Sequence, residues 1–155
     1  MRRLARWSLP AVLVCLALAA APAANAQEPT IVTDITFPEE GEPFGTFTAS
    51  APLCPSGTFV DEFVGGGGAF RSGHVDYGAS AILKTFTCTD GSGTFTILFH
   101  PQFTPATPAD CLQAGPFAVV GGTGAYAKLR GHGDFCVFGD EEDRATETFT
   151  GSFRL

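Results

Sequence analysis

Basic side chains are scarce in this sequence. Its 155 residues hold nine Lys and Arg against sixteen Asp and Glu. Setting aside residues 1–26, with Arg2, Arg3 and Arg6, leaves six against sixteen, a net charge of −10. Binding nucleic acid means neutralising phosphates with cations, so no nucleic-acid partner is expected. Docking on anionic lipid is disfavoured for the same reason. Long hydrophobic runs are also missing: Leu9–Ala21 falls short of the roughly 20 residues a spanning helix needs, and no membrane partner is expected. No stretch sustains a helical period. No two cysteines have the close spacing of a zinc knuckle, and His74, His100 and His132 lack i, i+2 or i, i+4 partners, so no metal is expected. Without a nucleophile elbow, hydrolase chemistry has no specific support.

What is present begins with an export signal. Arg2, Arg3 and Arg6 form a basic start, Leu9–Ala21 an apolar run, and Ala24-Asn25-Ala26 offers small residues for cleavage. The expectation is a signal peptide over 1–26 and one secreted, extracellular domain over 27–155. Cys15 falls in the signal, leaving Cys54, Cys88, Cys111 and Cys136. An even number in an exported chain implies disulfides, with three connectivities open. Cys54–Cys88 with Cys111–Cys136 is preferred, because the first pair brackets the start of one strand and the end of the next.

Gly, Pro, Thr and Phe dominate the rest, as short alternating runs broken by Gly or Pro. Strands are expected near Thr30–Phe37, Phe44–Ala51, Gly57–Val64, Ser80–Cys88, Gly93–His100, Pro116–Gly121, Leu129–Phe138 and Ala145–Arg154. Phe95, Ile97 and Phe99 share one face of their strand, as do Phe149, Gly151 and Phe153 of the last. Asp90-Gly91 supplies a hairpin turn. Gly65–Gly68 reads as a flexible connection, Pro101–Asp110 as a stiff loop, and Asp140–Asp143 as a solvated turn rather than a calcium loop. Eight such strands fit a closed antiparallel β-barrel, with a two-sheet β-sandwich as the alternative.

Val119–Ala127 contains a G-x-G-x-x-A pattern after an apolar strand. A dinucleotide site would need a helix behind those glycines. The following Lys128–Asp134 has no helical face, so the glycines are read as permitting a sharp bend. The same segment, Val-Val-Gly-Gly-Thr-Gly-Ala-Tyr with Arg130-Gly131 after it, resembles the signature of the allene oxide cyclase and dirigent barrels. The closing Thr148–Gly151 strand extends the likeness loosely over most of the chain beyond residue 26. The resemblance implies an eight-stranded antiparallel barrel, often trimeric, with an apolar cavity. It implies a small hydrophobic ligand whose cyclisation or coupling is steered by an isomerase-like or cyclase-like activity, with no cofactor, metal or covalent nucleophile. Arg130 matches the signature arginine, and Asp34 resembles the acidic residue of the first strand. The asparagines used by the plant cyclases have no counterpart, since the one Asn here is Asn25.

Strand parity puts Asp61 on the face of Phe59 and Phe63. Pointing inward, a carboxyl there is driven toward its neutral, proton-donating form and could polarise a ligand oxygen. Facing outward, all three are simply solvated. Asp61, Arg130 and Asp34 are therefore the candidate catalytic residues, and Phe59 and Phe63 the candidate ligand contacts. If Cys54 and Cys88 form a cross-strand rung, Ala81 lies opposite Asp61, and Lys84 pairs with Glu62 on the other face. Two functions stand: a secreted barrel holding a small hydrophobic molecule, and a non-enzymatic extracellular interaction module or inhibitor with a packed barrel.

Overall fold

The computed structural model describes residues 28–64, 70–71, 74–75, 81–101, 111–141 and 144–155. The expected signal peptide, the Gly65–Gly68 connection and nearly all of the Pro101–Asp110 loop lie outside the described residues. So do residues 142–143 of the expected 140–143 turn, whose first two residues belong to a strand.

Eight long strands form the wall: β1 (Thr30–Thr36), β2 (Phe44–Ala49), β3 (Ser56–Val64), β6 (Ala81–Cys88), β7 (Thr94–Phe99), β8 (Gln113–Gly122), β9 (Arg130–Glu141) and β10 (Arg144–Arg154). Two short strands, β4 (Phe70–Arg71) and β5 (His74–Val75), form a separate pair that the sequence reading did not anticipate. The wall closes in the order β1-β10-β9-β8-β7-β6-β3-β2, antiparallel throughout, which settles the barrel over the sandwich. Closure leaves no unpaired edge in this eight-stranded wall.

Alternation decides what fills the lumen. Along β10, Ala145, Glu147, Phe149, Gly151 and Phe153 are buried, and their neighbours are more exposed. Many inward phenylalanines sit beside a glycine on the adjacent strand: Phe47 is paired with Gly57, Phe59 with Gly45, and Phe117 with Gly133. A methyl group on Gly57 or Gly133 would collide with the paired ring. Glycine opposite phenylalanine therefore lets large rings fit inside a narrow cylinder, which accounts for the Phe- and Gly-rich composition.

The rings meet in the middle. Phe86 and Phe95 stack at 4.7 Å, and Phe149 packs against Phe99, Phe117 and Phe135 at 5.4–5.7 Å. Phe86 on β6 reaches Phe149 on the diametrically opposed β10 edge-on at 6.4 Å. The base of the barrel, where β1 begins, is closed by buried Leu53, Tyr126 and Leu129.

Both disulfides form as expected. Cys54–Cys88 ties the approach to β3 to the end of β6, and Cys111–Cys136 ties the approach to β8 to the wall of β9. The Asp90-Gly91 turn also forms, with Gly91 at φ +74° and the Ser92 amide donating to Asp90 Oδ1 at 2.9 Å.

Candidate functional site

One level above the aromatic layer, toward the top of the barrel, β3, β6, β10 and β1 each contribute a polar side chain to the lumen. Asp61 and Lys84 are directly paired on β3 and β6, and Thr33 and Glu147 on β1 and β10. Exposure is 3% for Asp61, 0% for Lys84, 3% for Glu147 and 0% for Thr33. The Lys84 ammonium lies 2.9 Å from Asp61 Oδ1 and donates to Oδ2 at 3.0 Å. It also reaches across the full diameter to Glu147 Oε2 at 2.8 Å, where the Thr33 hydroxyl donates at 2.8 Å. The Phe59 ring lies beneath the ammonium, 3.7 Å from centroid to Nζ, a cation–π contact.

The electrostatics follow from the count. One cation faces two carboxylates in a site closed to water, so full ionisation leaves an uncompensated buried negative charge. Burial pushes the Asp61 carboxyl up to about 7, opposed by the Lys84 charge and reinforced by Glu147 and Glu42. Asp61 Oδ1, although close to the ammonium, has no aligned hydrogen-bond donor.

Asp61 and Phe59 thus point inward and are buried, with Phe63 half-buried on the same strand face. Arg130 and Asp34 are elsewhere. Arg130 is exposed, donating from Nη1 to the carbonyl of Leu129 at 2.9 Å, and Asp34 is exposed on the outer wall beside Thr46 and Thr146. The structure does not bring either to the Asp61 cluster.

The expected partner of Lys84 is corrected. Cys54 precedes β3 rather than standing on it, and the rung opposite Cys88 is Gly57. That shift is odd, and an odd shift exchanges the two faces of a strand. Lys84 therefore turns inward to Asp61, not outward to Glu62. Glu147 and Thr33 were missed, although Glu147 has the parity of Phe149 and Phe153.

The glycine-rich segment also resolves. Gly124 has φ +58° and opens a short 3₁₀ turn, Gly124–Tyr126, followed by antiparallel β9. This is a sharp bend packed on the β6–β7 hairpin, with the Thr94 amide donating to Thr123 Oγ1 at 3.1 Å.

The chain matches no family model, no curated protein and no solved structure. Among the described residues, no three His, Cys, Asp or Glu side chains gather as metal ligands would, and no helix is long and apolar enough to cross a membrane.

Proposed function

We propose that this chain is a secreted, non-enzymatic barrel module that works through its outer wall, engaging another extracellular protein. The observation that carries this reading is the filled lumen. Phe86 meets Phe149 across the whole diameter, and Lys84 meets Glu147 across it one level higher. A guest molecule needs a concave space of its own, and these positions are taken by the protein's side chains. The two disulfides support export, since such bonds persist in oxidising compartments.

The outer face of β1–β3 gives the partner its chemistry. Phe44 and Val60 are paired there and stand 49% and 54% exposed, with Val32 on the neighbouring strand. Beside the inward Asp61, residues 28–64 include Glu28, Asp34, Glu39, Glu40, Glu42 and Glu62 but no Lys, Arg or His. An apolar centre with an acidic rim suits a protein face bearing an apolar contact ringed by Lys and Arg.

A second reading has one observation in its favour. Asp61 points inward with a carboxyl raised by burial to about 7, as an acid acting on a cavity-bound hydrophobic molecule would. The resemblance to the allene oxide cyclase and dirigent barrels supports the same reading.

Mass spectrometry of the purified, denatured protein separates the two. The outer-wall reading expects no lipid or terpenoid to be released, and recovery of about one such molecule per chain would overturn it. In the medium of cells secreting the protein, Phe44→Asp with Val60→Asp should abolish chemical cross-linking to a partner. Val120→Asp, on the opposed wall, should not.

A further inference from the structure

We propose that Lys84 and Asp61 condense spontaneously into an intramolecular isopeptide bond joining β6 to β3 inside the barrel. The inference does not depend on the outer-wall reading, because it follows from the cluster alone. The amine and the carboxyl are paired on neighbouring strands, so the link needs no displacement of either backbone. Nζ lies 2.9 Å and 3.0 Å from the two carboxyl oxygens, which holds it against the carboxyl carbon. A third group, Glu147, reaches Nζ from the opposite wall at 2.8 Å and is itself held by Thr33.

The chemistry balances with what is present. Burial raises the Asp61 carboxyl to about 7, so near neutral pH a substantial share of it is the neutral acid, the electrophilic form. Lys84 passes a proton to Glu147, and the freed amine attacks the Asp61 carboxyl carbon. An N–C bond forms, the C–O bond to the acid hydroxyl breaks, and Glu147 shuttles protons from nitrogen to the leaving oxygen. The amide keeps one hydrogen, the departing water carries two, and Glu147 retains the remaining proton. No oxidant or cofactor enters.

Two physical factors favour the step. Held reactants reach effective concentrations of about 10⁵–10⁸ M when oriented. The condensation also removes the cation and the acid, so a neutral amide replaces a buried charge cluster that is costly to desolvate. Asp61 is the acyl partner rather than Glu147, because both its oxygens face the amine and it stands on the adjacent strand. Glu147 spans the lumen and accepts from Thr33.

The test is covalent mass. The purified protein, boiled and reduced, should be one water lighter than its sequence, and digestion should yield a branched peptide joining the Asp61 and Lys84 segments. Full mass, with the Lys84 amine open to acylation after unfolding, would overturn the proposal, as would a branch at Glu147. Glu147→Gln should restore the full mass by removing the proton shuttle, and a linked Glu147→Gln product would overturn the mechanism. Should that variant fail to fold, Asp61→Asn provides an independent check. It would link by losing ammonia, so its product should have the same mass as the linked native chain. An unlinked Asp61→Asn chain would count against the proposal.

Discussion

Lys84 is the residue on which the upper half of the lumen depends. Its ammonium contacts two carboxylates and an aromatic face, and no water reaches it. Lys84→Met keeps the apolar stem but leaves Asp61 and Glu147 with no cation, and removing one partner of a buried ion cluster costs about 3–5 kcal/mol. The loss depends on pH. In the unfolded chain Asp61 titrates near 4, whereas its folded value lies at about 7. A raised folded value means that stability falls as pH rises through that interval. Losing Lys84 removes the contribution that lowers Asp61, while Glu147 and Glu42 still raise it, so the interval extends upward. Urea denaturation of Lys84→Met should therefore show greater stability at about pH 5 than at about pH 8. In the isopeptide-linked native chain Asp61 no longer titrates, and its contribution to the same comparison should vanish.

The Phe–Gly pairs make a second residue-scale prediction. A methyl at Gly57 would sit 2.5 Å from the Phe47 ring and would collide with the Thr87 carbonyl oxygen. Gly57→Ala should cost about 1–3 kcal/mol, as overpacking does, measurable as a lowered urea midpoint. The same substitution at Gly121, where nothing lies within 4 Å, should change little.

At the scale of elements, the alternation that marks the strands is local, so all eight wall strands were legible in the sequence. Thr94–Phe99 and Arg144–Arg154 each bury one parity and turn the other outward. Register is a relation between strands and was not legible. The Lys84 error arose from treating Cys54 as a rung of the ladder, although it sits two residues before β3. The slip between β7 and β8, where Val120 falls between the partners of Thr96 and Ile97, likewise leaves no local trace. Of the candidate site, Asp61 was readable from its parity with Phe59. Its partners come from strands far away in sequence, at positions that only closure brings together. The disulfides act at this scale too. Cys54–Cys88 closes a separation of 34 residues, and Cys54→Ala with Cys88→Ala should cost about 3–4 kcal/mol on the loop-entropy model, read as a fall in Tm.

Considered as a whole molecule, the barrel carries its own rings across its middle. Phe149 touches four of them from one position near the axis. Phe149→Ala should cost about 3–5 kcal/mol. Because the space left would be lined by phenylalanine, it should stay dry and accept a small apolar molecule such as benzene. Native protein should show no such uptake by calorimetry, and the variant should. Native uptake would mean that the lumen has room the ring contacts do not suggest.

The seam of the cylinder is formed by β1 against β10, Thr30 beside Thr150 and Thr36 beside Arg144. The earliest strand to emerge from synthesis therefore waits for the latest before it gains its second neighbour. Nascent chain lacking residues 144–155 should remain protease-sensitive, and the barrel should close only once those residues have emerged. A polypeptide of this topology stays threadable until its last strand arrives.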